Sequence, residues 1–403
     1  MPLRVLDDYK SLKGKRVLLR ADFNVPVNRG KIGAEEDWRL RSVVPTIEKL
    51  RKAGARVILA THLGRPEGKK VAALKLDAVA KRLSQLAHVP IEKLSDCVGD
   101  EVEKAVASMK DGDVVMLENL RFRKGEEEND LAFAEALSRL ADVYVDEAFG
   151  VSHRAAASNV AITRYLPSYA GPLLAAEVSA LTKALEAPER PYLVVMGGSK
   201  VASKIAVISQ MLSVADRVLL GGALIAPFYK AMSHCIGATS CSDEDLEAAV
   251  SLMKHPYFKK LILPHDVVIA DPKDPKSKPQ VVDLQNEPFD LCQDHEAILD
   301  IGPKTISAYA SYIRSAKMIV WNGPLGWFEQ PKFSHGTLAL GRLIAARSKG
   351  RAFGVVGGGE TVQALARTGL ADCVDHVSTG GGAMLEFLEG KILPGIQPLL
   401  LEA

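Results

Sequence analysis

Short runs of β-branched and aliphatic residues recur along the whole chain, each followed by a stretch with helical apolar spacing. This alternation constrains the fold more than any other feature. RVLLRADF (16–23), RVILATH (56–62), DVVMLEN (113–119) and DVYVDEAF (142–149) read as strands, and LDAVAKRLSQLAH (76–88) and DLAFAEALSRLA (130–141) as helices between them. After residue 190 the alternation restarts with YLVVMGG, RVLLGGA, KLILP, KMIVWNG and AFGVVGGG, and a helix in GPKTISAYASYIRSA. Strands apolar on both faces and separated by helices belong to parallel sheets covered on both sides. The expected fold class is therefore α/β, with two doubly wound parallel-sheet (Rossmann-like) domains joined by a linker helix. The expected divisions are 1–170, a linker helix over 171–188 ending at Pro188 and Pro191, 189–390, and a tail, 391–403, that returns to the first domain. PKDPKSKPQ (272–280) reads as a polar surface loop.

Composition excludes several partners. The chain has 403 residues, 47% apolar and 25% charged, enough to build full cores. A net charge of +2 gives no general attraction to nucleic acid or to an anionic membrane surface. The five cysteines (97, 235, 241, 292, 373) form no CxxC pair, which points away from a zinc site or a disulfide framework and towards a reducing compartment. MPLRVLDDYKSL lacks the apolar core of a signal peptide, and no apolar run approaches the ~20 residues of a membrane helix. The expected location is the cytoplasm.

In open α/β sheets ligands bind beyond the carboxyl ends of the strands. In the first half those ends carry Arg20, Asp22 and Asn24, then His62 and Arg65, then Glu118, Asn119 and Arg121, then Asp146, Glu147, His153 and Arg154. Arginine forks suit a small, highly charged anion. In the second half the ends carry glycines: 197–198, 221–222, 323, 357–359 and 380–382. Glycine turns opening onto helix N-termini let amides approach a polyphosphate. One half thus reads as an acid-binding half and the other as a nucleotide half. VMGGSKVASK (195–204) places Lys200 just after such a turn, although the chain contains no GxxxxGK[ST] P-loop.

Plainer readings stand beside these. A glycine pair is often only a tight turn, and one arginine after a strand is usually a surface residue; only their repetition argues otherwise. His62 and His153 taken singly read as structural histidines, Trp321 and Trp327 as packing, the cysteines as inert, and Asp7-Asp8 and Glu126-Glu127-Glu128 as solvated charge.

RADFNVP, THLGRP, LENLRF, AFGVSHRA, GGSKVASK, WNGPLGWFE and HVSTGGGAMLEFLEGKILPG, in this order from about residue 4 to 395, resemble the phosphoglycerate kinase family. The resemblance implies reversible phosphoryl transfer between 1,3-bisphosphoglycerate and ADP, giving 3-phosphoglycerate and ATP, with Mg²⁺ accompanying the nucleotide. It also implies a monomer. It places the 3-phosphoglycerate site at Asp22, Asn24, Arg39, His62, Arg65, Arg121 and Arg154, with Arg41 a near neighbour that leaves the Arg39 match less firm. It places the nucleotide at Gly198, Lys200, Lys204, Gly222, Asn322, Gly323, Glu329, Gly358, Gly359, Glu360 and Thr361, with Glu329 towards the ribose and Glu360 towards the metal. Arg39, Lys200, Gly380 and Gly381 are the implied catalytic positions.

Three departures from the family pattern stand out. Glu360 occupies a position where aspartate is usual, Asp146-Glu147 replaces a pair ending in aspartate, and GGALIAPF alters one wall of the nucleotide half. Two other classes compete. A nicotinamide dehydrogenase needs GxGxxG after its first strand, which RADFNVPVNRG does not supply. A two-domain solute-binding protein would have no use for Lys200 beside glycine turns. With one substrate on each domain, the domains are expected to close about a hinge near Glu177.

Overall fold

The computed structural model of the chain describes residues 1–284 and 290–401; the last two residues of the expected tail lie outside the described residues. The chain divides into two compact units. The first is Met1–Ser179 with the tail from Ile392, and the second is Ala180–Lys391.

The first unit is built on six strands: β1 (Arg16–Arg20), β2 (Arg56–Ala60), β3 (Glu92–Lys93), β4 (Val114–Met116), β5 (Val143–Asp146) and β6 (Ser168–Ala170). All pair in parallel, in the order β3-β4-β2-β1-β5-β6. Its helices are α1 (Trp38–Lys52), α2 (Asp77–Ala87), α3 (Asp100–Ala107), α4 (Lys124–Glu127) and α5 (Leu131–Ser138), followed by α6 (Pro172–Glu186), through which the chain passes into the second unit. Side chains alternate across the sheet. Val17, Leu19, Val57 and Leu59 pack with α1 and α2, whereas Leu18, Ile58, Val115 and Tyr144 pack with α3 and α5. Both faces are therefore dry, which is why these strands read as continuous apolar runs rather than as alternating ones. Truncating a residue such as Leu19, fully buried, should cost about 2–5 kcal/mol.

The strands are shorter than their apolar runs. β1 stops at Arg20, although the run continues to Phe23. The Ala21 amide still reaches the Ala60 carbonyl (3.0 Å), but the Phe23 amide turns to the Thr61 hydroxyl (3.0 Å), so Asp22 leaves the ladder. The tail lies against this unit, with Arg4 donating to the Leu399 carbonyl (2.9 Å) and Gly395 to that of Ser152 (2.9 Å).

The second unit repeats the plan. β7 (Tyr192–Met196), β8 (Arg217–Leu220), β10 (Leu261–Ile262), β15 (Met318–Asn322), β16 (Phe353–Gly357) and β17 (His376–Val377) form a parallel sheet in the order β10-β8-β7-β15-β16-β17. Its helices are α7 (Ile205–Val214), α8 (Ala226–Ala231), α9 (Asp243–Met253), α10 (Pro303–Ser315), α11 (His335–Ser348), α12 (Gly359–Arg367) and α13 (Gly382–Leu388). Two small sheets go beyond the expected plan. β9 (Cys235–Ile236) pairs with β13 (Asp290–Cys292), and β11 (Asp266–Ala270) lies antiparallel between β12 (Gln280–Asp283) and β14 (Ala297–Ile301). The PKDPKSKPQ segment connects β11 to β12 and is largely exposed, as a proline-rich loop must be. Among the described residues no helix is long and apolar enough to cross a membrane.

Candidate active site

In each sheet the strand order reverses at one point: between β1 and β5 in the first unit, and between β7 and β15 in the second. Crevices outside the carboxyl ends of the strands form at such points, and the candidate residues gather there.

In the first unit the loop after β1 brings Asp22 against Arg39, with Oδ2 and Nη1 2.5 Å apart. Burial alone would raise the Asp22 carboxyl, but the Arg39 guanidinium and its neighbours hold it below the usual carboxylate range. Arg39 sits in the first turn of α1. Arg41 turns elsewhere, to Asp37 at 2.6 Å, and Arg82 joins it there. The structure thus separates the two arginines that sequence spacing leaves adjacent. Asn24 accepts the Gly64 amide (2.9 Å), fixing the loop after β1 to the loop after β2. His62, at the end of β2, is buried. Its Nδ1 lies 3.3 Å from Nη2 of Arg20, and since a guanidinium can only donate, Nδ1 must accept. Burial pushes the His62 imidazole well below its usual value, so it is neutral and carries its proton on Nε2.

Arg121 follows β4. Asn119 shapes that turn by accepting the amides of Leu63 and Arg121 and donating to the carbonyls of Leu63 and Leu74. The Arg121 guanidinium donates to the Gly64 carbonyl (2.8 Å) and lies 3.4 Å from Glu127. Arg20, Arg121 and Arg154 line a cavity of about 110 Å³. Arg65 and Arg154 are exposed.

One expectation fails here. Glu126 is not solvated charge: it is 2% exposed, accepts the amide (3.0 Å) and hydroxyl (2.6 Å) of Ser158, and lies 3.8 Å from Arg20. The reason is that α4 is a single turn turned inward, so one carboxylate of the three meets a buried guanidinium. Arg20, named at its strand end but absent from the positions the resemblance implies, is the centre of this network.

In the second unit Lys200 is exposed, and no described residue engages its ammonium group. Lys204 folds back, its Nζ donating to the Gly197 carbonyl (2.5 Å) and lying 3.3 Å from the Asn322 oxygen; burial lowers its ammonium to about 8. A cavity of about 270 Å³ is lined by Gly198, Gly222, Leu299, Trp327, Glu329 and Glu360, among others. That is close to the lower end of ordinary small-molecule sites, about 300 Å³. Trp321 is fully buried, whereas Trp327 is 38% exposed and stacks on Phe333. Leu299 and the β14 edge carry no signal in the sequence different from that of any apolar strand; Trp327, expected to be packing, lies in the loop after β15 and lines the cavity.

The glycines do not present bare amides as a group. Gly197, Gly198, Gly221, Gly222 and Gly323 donate to Asn322, Pro324, Met196, Leu325 and the Thr361 hydroxyl, at 2.6–3.0 Å. Their function is close approach: a Cβ on Gly197 would stand 1.9 Å from the Pro324 oxygen. Thr361 is fully buried and spends its oxygen on Gly323; Asn322, 5% exposed, spends its own on Lys204. The first turn of α12, from Gly359 and Glu360, opens beside the cavity, with Gly358 at positive φ (91°) before it. Gly380 donates to the Ser378 hydroxyl (3.1 Å), and Gly381 (φ 52°) precedes α13.

Among the described residues no group of three His, Cys, Asp or Glu side chains could hold a metal ion. Two carboxylates, Glu329 and Glu360, line the cavity. That donor set fits Mg²⁺ held mainly by phosphates and water, and does not fit an all-protein cage.

A cationic cluster on one doubly wound unit, and a glycine-walled cavity with lysines beside it on the other, define a transferase acting on two anions. The family model for phosphoglycerate kinase matches residues 6–391. Phosphoglycerate kinases of Trichodesmium erythraeum and Chloroherpeton thalassium are 46% and 44% identical to this chain, over 96% and 99% of both chains. The solved phosphoglycerate kinase of Coxiella burnetii superposes with a TM-score of 0.83 at 40% identity, covering 99% of each chain. That of Pyrococcus horikoshii gives 0.87 at 31%, covering 98% of each. The chain belongs to the phosphoglycerate kinase family. Its activity is the glycolytic phosphoryl transfer with a carboxyl group as acceptor, on ATP/ADP and phosphoglycerate substrates.

Proposed function

We propose that the first unit binds 3-phosphoglycerate or 1,3-bisphosphoglycerate through Asp22, Asn24, Arg39, His62, Arg65, Arg121 and Arg154, that the second binds the nucleotide around Gly198, Gly222, Glu329 and Gly358–Thr361, and that Lys200 and Arg39 neutralise the group in transit. The observation that carries this reading is the Asp22–Arg39 pair, with neutral His62 and Arg121 at the switch point of the first sheet.

The acceptor carboxylate is already ionised at neutral pH, so no general base is needed. The obstacle is repulsion between an anionic acceptor and an anionic phosphoryl group. Phosphoryl transfer is catalysed chiefly by positioning and by cations around the transferring group. Lys200, exposed and unengaged, is free to meet it. Lys204, tied to Gly197 and Asn322, holds the two glycine turns together and adds charge from behind. Gly380 and Gly381 shape the turn before α13. Mg²⁺ bound with the nucleotide would screen its phosphates, and Glu360 would hold it, through water.

Because the acid and the nucleotide are assigned to different units, transfer requires that the units come together, which also keeps water from an acyl phosphate. The hinge is assigned to α6 near Glu177. A reducing compartment such as the cytoplasm fits the five free cysteines. The test is a coupled assay for ADP formed from ATP and 3-phosphoglycerate: activity dependent on both substrates supports the reading, and reduction of a nicotinamide or simple solute binding without turnover refutes it.

A further inference from the structure

Two carboxyls at the end of β5, Asp146 and Glu147, are buried. Glu147 runs into the start of α6. Its Oε2 accepts the Leu174 amide at 2.9 Å, and Oε1 accepts the Thr46 hydroxyl. Its own amide donates to the Arg20 carbonyl at 2.8 Å. One residue thus joins β5, β1, α1 and α6.

The first amides of a helix have no partner within it. Pro172 at the start of α6 has none to offer, and of the two that follow, the Leu174 amide goes to Glu147. The chain makes room for this contact: a Cβ on Gly171 would stand 2.2 Å from the Glu147 carboxyl carbon. Thr46 follows Arg39 by about two turns of α1 and falls on the same side of the helix. The helix that presents Arg39 is therefore fastened to the helix by which the chain enters the second unit.

We propose that Glu147 is a positioning residue for phosphoryl transfer: by clamping the first turn of α6 to α1, it sets the direction in which α6 leaves the first unit, and with it the approach of a nucleotide on the second unit to Arg39. The inference rests on the assignment of one substrate to each unit. Glu147 touches neither substrate, and none of the hydrogen bonds of Asp22, Asn24, His62 or Arg121 passes through its side chain. Its loss should leave each ligand's own pocket whole and damage only their meeting.

The test measures kcat with Mg-ATP and 3-phosphoglycerate, together with the Kd of 3-phosphoglycerate alone and of Mg-ADP alone by calorimetry. Glu147→Met, close in size and without a hydrogen-bonding oxygen, releases the α6 amide and the Thr46 hydroxyl together. It should lower kcat roughly tenfold or more, the scale of a small misplacement, with both Kd values within about twofold. Thr46→Val keeps the side chain's shape and deletes only its hydroxyl; it should lower kcat about threefold in the same pattern and decides the matter if Glu147→Met does not fold. Glu147→Gln, whose oxygen can accept from α6 while its NH2 donates to the Thr46 oxygen, should recover most of the turnover. Wild-type kcat in both Glu147→Met and Thr46→Val, or a kcat loss matched by loss of single-ligand affinity, would overturn the proposal. A wild-type protein that binds neither ligand would instead overturn the two-substrate assignment, and this inference with it.

Discussion

Replacing Glu126 with alanine should destabilise the first unit far more than its place in a GEEEN segment suggests. The carboxylate is 2% exposed and faces an Arg20 guanidinium that is also 2% exposed. Removing one partner of a buried pair leaves the other uncompensated, at about 3–5 kcal/mol. Arg20 keeps the Ser158 hydroxyl (2.8 Å) and His62 Nδ1 (3.3 Å), so the low end applies to it. The Ser158 amide loses its acceptor, adding about 1 kcal/mol. The sum is about 4 kcal/mol. At roughly 2–4 °C per kcal/mol for a unit of this size, calorimetry should show its melting transition falling by about 10 °C. Because Arg20 fixes the acceptor nitrogen of His62, affinity for 3-phosphoglycerate should weaken too. A fall of less than about 2 °C would show that water reaches the guanidinium and would refute the buried-network argument.

Three further outcomes follow from the second unit. Gly197→Ala should unfold or severely destabilise it, because the new methyl would meet the Pro324 carbonyl with backbone on both sides; soluble protein with unchanged melting would contradict the packing. Burial pushes the Asp300 carboxyl from 3.8 to about 7. An acid whose folded value exceeds its unfolded value favours the folded state at low pH, and that advantage is lost as pH rises from about 4 to about 7; it is on the order of 4 kcal/mol. Asp300→Asn should therefore compare better with the parent at pH 8 than at pH 5 in denaturant titrations, and an equal difference at both would contradict it. Glu360→Gln should raise the Mg²⁺ concentration needed for half-maximal turnover severalfold, and an unchanged requirement would remove Glu360 from the metal's surroundings.

The doubly wound sheets were legible because strands dry on both faces leave unbroken apolar runs, as in RVLLR and YLVVM. The charged groups beyond β1 were legible as strand-end residues, but the strand's end was not: RVLLRADF reads as one strand to Phe23, and only the turn of the Phe23 amide to Thr61 ends it at Arg20. Other features were not. The antiparallel trio around β11 has strands of four or five residues, too short for their periodicity to stand out. Glu126 is one of three identical carboxylates, and only the inward turn of α4 selects it. The glycine amides looked free because sequence cannot show that the turns after β7 and β15 consume each other's hydrogen-bonding groups. The Arg39–Arg41 choice needed Asp37, a buried carboxylate whose partners Arg41 and Arg82 come together only in the fold.

The central claim is that an exposed ammonium beside the glycine turns stabilises the phosphoryl group in flight and does little for either ligand at rest. Steady-state turnover and single-ligand Kd values of Lys200→Ala test it most directly. A fall in kcat of about 10²–10³, with both Kd values within a few fold, is predicted. Near-normal turnover, or a loss confined to nucleotide affinity, would contradict it.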